Sequence, residues 1–94
     1  MATTVKVANG TVTEYKNGSR VRSYGSHIVD ADTDGDIVAA VTARGTVEEY
    51  HNGSRLRSYG SNVVRVQVSG GVVAATLSNG RTEEYRNGSR LRSY

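Results

Sequence analysis

Hydrophobic and polar residues alternate along most of this chain in short runs broken by glycine-containing turns. Alternation with period two is the mark of β-strands with two distinct faces. Asn17-Gly18, Asn52-Gly53 and Asn87-Gly88 are the strongest turn signals, because a two-residue type I′ hairpin needs positive φ at both central positions. Asn9-Gly10, Arg44-Gly45 and Asn79-Gly80 mark a second set of turns, and Asp34-Gly35 and Gly70-Gly71 a third. Between these turns, Val, Thr and Tyr dominate, as in strands. The middle of the chain reads as four strands, His27–Thr33, Ile37–Ala43, Thr46–His51 and Ser54–Tyr59. The last third gives Asn62–Val68, Val72–Ser78, Arg81–Arg86 and Ser89–Tyr94. The start gives only Thr3–Ala8, Thr11–Lys16 and Ser19–Tyr24. No segment has helical periodicity.

The pattern repeats every 35 residues: Thr46-Val47-Glu48-Glu49-Tyr50 through Ser58-Tyr59 recurs as Arg81-Thr82-Glu83-Glu84-Tyr85 through Ser93-Tyr94, and more loosely from Thr11 to Tyr24. A fixed period of this length means one supersecondary unit copied in tandem. The chain is expected to be a single repeat domain with units over about 1–25, 26–60 and 61–94, the first unit lacking its first strand. The likeness of the second and third units points to recent amplification or to engineering.

Two-residue turns fix the pairing register. Counting outward from Asn52-Gly53 pairs His51 with Ser54, Tyr50 with Arg55, Glu48 with Arg57 and Thr46 with Tyr59. One face of this hairpin is therefore expected to carry Glu48, Tyr50, Arg55, Arg57 and Tyr59, and its copy Glu83, Tyr85, Arg90, Arg92 and Tyr94. Thr13 stands where a Glu is expected, which leaves Arg22 without that partner. The opposite face collects aliphatic residues: Val29, Ala31, Val38, Ala40, Val47 and Leu56 in the second unit, and Val64, Val66, Val68, Val73, Ala75, Leu77 and Leu91 in the third. That face must be buried, and the other, of Tyr and Arg with small residues such as Ala39 and Ala74, could pack too through Arg stems and Tyr rings.

Composition narrows the function classes. Among 94 residues there is no Phe, Trp, Pro or Cys, so the core is small and built of Val and Ala, with six Tyr as the only aromatics. No disulfide or thiolate site is available. No apolar run approaches a membrane span, and the start Met1-Ala2-Thr3-Thr4-Val5-Lys6 lacks the apolar stretch of a signal peptide. A soluble chain is expected, its compartment left open. The net charge of +3 is interleaved with Glu rather than gathered in a basic patch, which argues against a dedicated nucleic-acid binder.

Tandem four-stranded antiparallel units are the building plan of β-propellers. The stretch Tyr59-Gly60-Ser61-Asn62-Val63-Val64, Val72 through Gly80 and Thr82-Glu83-Glu84-Tyr85 resembles a WD40-type propeller blade. That resemblance implies an all-β fold of propeller blades. Fewer than three units cannot close a ring, so completion by homo-oligomerisation follows, with a dimer favoured. The strand–Gly–Thr-Glu-Glu-Tyr–Asn-Gly order is also loosely similar to that of small fucose-binding lectins whose short chains assemble into propellers. A β-prism or β-trefoil monomer is the alternative fold, because each fits three units in one chain.

Candidate chemistry is sparse. Asp30-Ala31-Asp32-Thr33-Asp34-Gly35-Asp36 resembles the first half of an EF-hand calcium loop, but Val41 stands where the closing acid belongs. The simpler reading is an Asp-Gly turn, with Asp30 and Asp32 facing Arg65 and Gln67 of the next unit. No metal or cofactor is expected. His27 and His51 have no partnered nucleophile, and Glu48 and Glu83 are better explained as strand-pairing partners of Arg than as a hydrolytic pair. No enzyme is expected. The repeated Tyr and Arg positions, Tyr50, Arg55, Arg57, Tyr59, Tyr85, Arg90, Arg92 and Tyr94, are the ligand-binding candidates; packing between units is the simpler reading, since the chain has no other aromatics. The leading expectation is a non-enzymatic repeat protein that assembles with itself into a symmetric structural or interaction scaffold. A multivalent carbohydrate-binding lectin comes second and a nucleic-acid-binding module third.

Overall fold

The computed structural model describes residues 3–94. Met1 and Ala2, the start of the unit expected over 1–25, lie outside the described residues. The rest forms eleven strands and no helix. They are β1 (Thr3–Ala8), β2 (Thr11–Lys16), β3 (Ser19–Tyr24), β4 (Ile28–Thr33), β5 (Val38–Thr42), β6 (Val47–His51), β7 (Ser54–Tyr59), β8 (Val63–Ser69), β9 (Val72–Leu77), β10 (Thr82–Arg86) and β11 (Ser89–Ser93). Every strand meets its sequence neighbour antiparallel, in three meanders: β1-β2-β3, β4-β5-β6-β7 and β8-β9-β10-β11. Asn17, Asn52 and Asn87 have φ between 52° and 54°, and each following glycine is also positive, as type I′ turns require.

The sheets lie face against face. Each has a rear face toward the preceding sheet and a front face toward the next. The first joint packs Val5, Val7, Val12 and Tyr24 against Ile28, Ala31, Val38, Ala40 and Tyr50. The second packs Ala39, Val41, Val47 and Tyr59 against Val63, Val66, Val68, Val73, Ala75 and Tyr85. The sheets approach most closely at β1, β4, β5 and β8. Turn backbone ties each joint: Ile28 N–H donates to Gly10 C=O and Val63 N–H to Gly45 C=O, both at 3.0 Å. No closed barrel forms among the described residues. The two cores lie between successive sheets, not around one shared centre as the prism and trefoil alternatives require.

The expectation of one aliphatic and one polar face per sheet is corrected. In β5, Val38, Ala39, Ala40 and Val41 are all buried, because the middle sheet is covered on both sides. Five aliphatics meet water instead: Val21, Val29, Leu56, Val64 and Leu91. Each is the extra residue of a β-bulge. Register slips at Glu14/Tyr15, Ile28/Asp30, Glu49/Tyr50, Val63/Arg65 and Glu84/Tyr85, leaving these five residues without a cross-strand partner. A bulge turns everything beyond it to the other face, so aliphatics that strict alternation sends inward stay outside.

Candidate functional site

The bulge in the third hairpin strand decides how the repeated Glu, Arg and Tyr side chains group. Pairing starts as expected, with His51 opposite Ser54 and Tyr50 opposite Arg55. Leu56 then bulges out. Glu49, not Glu48, comes opposite Arg57, and Val47 comes opposite Tyr59. Arg55 and Arg57, two apart in sequence, thus point to opposite faces. The single face expected to hold Glu48, Tyr50, Arg55, Arg57 and Tyr59 becomes two triads. On the rear face, Tyr50 hydroxyl donates to Glu48 Oε1 at 2.6 Å and Arg55 Nη1 to Glu48 Oε2 at 3.3 Å. On the front face, Arg57 and Tyr59 each donate to one oxygen of Glu49.

The third sheet repeats both sets. Its rear triad is Glu83, Tyr85 and Arg90; its front triad is Glu84, Arg92 and Tyr94, with the Tyr94 hydroxyl 2.6 Å from Glu84 Oε2. The first sheet keeps the front triad: Arg22 Nη1 donates to Glu14 Oε1 at 2.7 Å and the Tyr24 hydroxyl to Oε2. Arg22 therefore keeps its carboxylate. The residue that loses one to Thr13 is Arg20, opposite Tyr15 on the rear face.

The triads build the joints. A front-face tyrosine lies over a rear-face tyrosine: Tyr24 on Tyr50 with ring centroids 4.5 Å apart, and Tyr59 on Tyr85 at 4.3 Å. Beside each stack an arginine stem lies across a turn of the next sheet. A Cβ on Gly53 would fall 2.8 Å from Arg22 Cδ, and one on Gly88 2.7 Å from Arg57 Cδ. Gly18 occupies the same turn in the first sheet and has nothing within 4 Å.

Burial grades the triads. The Glu49 side chain is 1% exposed, Glu14 7% and Glu84 18%. Burial, and then donation to carboxylates, pushes the Tyr50 and Tyr85 hydroxyls up to about 12 and holds Tyr24 and Tyr59 well above the usual tyrosine range. At the open end, donation to Glu84 raises Tyr94, while the same bond and then Arg92 lower Glu84. Of the ligand-binding candidates, Tyr50 and Tyr85 are buried in the stacks, Arg57 and Tyr59 half-buried, and Arg55, Arg90, Arg92 and Tyr94 exposed.

The acidic turn joins the second and third sheets. Asp30 Oδ2 accepts Val66 N–H at 2.9 Å and Asp32 Oδ2 accepts Val68 N–H at 2.7 Å. Both face the next unit, as expected, but their partners are main-chain N–H groups rather than Arg65 and Gln67 side chains. Asp34 accepts the N–H groups of Asp36, Ile37 and Gly71. Burial alone would raise its pKa; these donors outweigh that and lower it. No group of three or more His, Cys, Asp or Glu among the described residues is placed to hold a metal ion.

One open cleft of about 470 Å³ is lined by His27, Thr42, Arg44, Thr46, Glu48 and Arg55, with Ser26, Ala43 and Ser58. At the matching place in the third sheet, Arg81 stands for Thr46 and bonds Ser93 at 3.3 Å. Sequence reasoning did not group these residues. The only signal was the Thr46/Arg81 difference between repeats.

The architecture defines a class: a tandem β-repeat protein whose antiparallel sheets are stapled front to rear by Glu–Arg–Tyr triads. The Helicobacter pylori IceA2 protein family matches the chain over residues 1–58 and again over 49–94, and the chain belongs to that family. No curated protein matches it. The WD40 resemblance is thereby corrected. Meandering four-stranded units with glycine turns are shared by many β-repeat folds and do not identify one family. What distinguishes this repeat is the Glu-Glu-Tyr and Arg-x-Arg-Ser-Tyr pairing. No helix among the described residues is long and apolar enough to cross a membrane.

Proposed function

We propose that this chain is a non-enzymatic interaction scaffold that assembles with itself into a symmetric ring, a propeller-like array of six sheets from two copies. One observation carries this reading. The third sheet presents a complete front triad, Glu84–Arg92–Tyr94, which no described residue covers, although the same triad is covered by a following sheet at both internal joints. The first sheet offers the complementary surface, with Tyr15 and the open Gly18 turn. Joints of one kind used head to tail close into rings when their rotation permits, here with a three-stranded first sheet at the seam. Each triad carboxylate is held by an arginine and a tyrosine hydroxyl, an arrangement suited to packing rather than to proton transfer. The test is solution mass across a concentration series. Reversible formation of a species at twice 10.1 kDa is expected. A monomer at millimolar concentration, or filaments that grow without limit, would overturn the reading.

A second reading rests on the cleft beside Glu48 and Arg55. Its hydroxyl, carboxylate and guanidinium groups suit a polyhydroxylated ligand such as a glycan. Retention on immobilised glycans that is lost on Thr46→Arg, which copies the arginine at the matching place in the third sheet, supports it. A glycan array without hits removes it.

A further inference from the structure

We propose that copies join front to rear through a defined seam, in which Tyr94 stacks on Tyr15 of the second copy, the Arg92 stem crosses its Gly18 turn, and Lys6 beside Arg65 keeps the joint reversible. This rests on the self-assembly reading above and names its partner surface.

The seam follows from the two internal joints. In each, the front-face tyrosine meets a rear-face tyrosine at 4.5 or 4.3 Å and the front-face arginine stem lies over a turn glycine. Tyr24 and Tyr59 correspond to Tyr94; Tyr50 and Tyr85 correspond to Tyr15; Gly53 and Gly88 correspond to Gly18. Neither Tyr94 nor Tyr15 has a ring partner within the described chain, and Tyr94 is 61% exposed.

The reversibility follows from the residues that break the repeat. On the rear face of the second sheet, Ala40 pairs with Glu48; in the first sheet Lys6 pairs with Thr13 at that place. On the front face, Asp30 of β4 reaches Val66 of β8, and Val66 pairs with Ala75, the third-sheet counterpart of Lys6. Arg65 is the third-sheet counterpart of Asp30. The first sheet has no strand at the place of β8, so a seam of the internal geometry sets Arg65 at that open place, beside Lys6 of the second copy. Like charges in contact weaken association and are relieved by salt. The internal joint uses an aspartate and an alanine at these two places.

Sedimentation equilibrium on the full chain tests this, with circular dichroism as the fold check. Association of the wild type should tighten between 0.05 and 0.5 M NaCl, across which the Debye length falls from about 14 Å to about 4 Å. Tyr94→Ala should abolish association with the spectrum unchanged. Arg65→Glu or Lys6→Glu alone should tighten it about tenfold by pairing with the remaining cation, and the double variant should lose that gain. A wild type that assembles regardless of Tyr94→Ala and of both charge reversals overturns the seam and leaves the assembly reading standing. A monomeric wild type whose Arg65→Glu variant assembles through Tyr94 supports the seam and overturns self-assembly of the natural chain. Monomers throughout overturn both.

Discussion

Arg57→Ala is the sharpest probe of what the triads contribute. The Glu49 carboxylate is 1% exposed and has two side-chain donors, Arg57 and Tyr59. Removing Arg57 leaves a buried charge with one hydroxyl. Breaking a buried pair from one side costs about 3–5 kcal/mol. Arg57 is itself 34% exposed, so water enters the space it leaves, and the lower bound of about 3 kcal/mol applies. In a domain of this size that is a drop of roughly 12–24 °C in Tm. Arg92→Ala is the matched control, because the same triad sits at the open end with Arg92 60% exposed. It should barely move the midpoint in protein dilute enough to be monomeric. Glu49→Leu in the Arg57→Ala background removes the stranded charge and should recover more than half of the loss. The assay is urea and thermal unfolding of the four proteins, followed by circular dichroism. Equal costs for Arg57→Ala and Arg92→Ala, or no rescue by Glu49→Leu, would refute the burial reasoning.

Alkaline pH should unfold the protein by a predictable route. Tyr50 and Tyr85 are raised to about 12 from 10.0, so the folded state holds protons that the unfolded state releases; stability is full below pH 10 and falls by about 3 kcal/mol per tyrosine as pH climbs toward 12, read as delayed tyrosine ionisation at 295 nm that coincides with unfolding. Asp32→Ala strips the acceptor from Val68 N–H and should cost about 1–3 kcal/mol in urea, whereas Asp32→Asn, which keeps an oxygen, should cost less. Gly88→Ala combines left-handed backbone strain with a Cβ 2.7 Å from Arg57 Cδ, while Gly18→Ala meets only the strain; the difference in unfolding free energy should be about 1–3 kcal/mol, and equal costs would show that the arginine stem gives way freely.

The strands were legible because their signals are local. Asn-Gly turns and alternating Val and Thr placed eleven strands within a residue or two of their observed ends. The grouping of side chains was not legible, and Leu56 shows why. An extra residue in one strand has no composition signature of its own, and the Arg55–Leu56–Arg57 spacing reads by default as two arginines on one face. A retrospective clue was present in Glu48-Glu49. Adjacent strand residues point to opposite faces, so two arginines that each serve one of them must lie on opposite faces, which residues two apart do only where the chain bulges between them. Burial of the Tyr and Arg face was left open for a related reason. Alternation tells which residues share a face, but not that the second sheet is covered on both faces, which is what buries Ala39 and Val41 together with Val38 and Ala40.

The period also hides what the exceptions to it mean. Where the repeat serves local structure, at the Asn-Gly turns and the bulges, the units agree. They diverge where the neighbour differs. Val38 becomes Thr4 and Ala40 becomes Lys6 on the rear face of the first sheet, where no earlier sheet packs among the described residues. Val41 and Val47 become Thr76 and Thr82 on the front face of the third, where no later sheet packs among the described residues. Threonine for valine keeps shape and adds a hydroxyl, so these faces tolerate water without giving up the contour of a joint. Polar outer faces are what terminal repeats need to stay soluble. Yet the Glu84–Arg92–Tyr94 triad is retained on the third sheet's front face, where no described residue packs over it. Solubility alone explains the threonines and Lys6 but not the triad. The proposed seam, a surface that meets water in one copy and receives a second, would account for all of them.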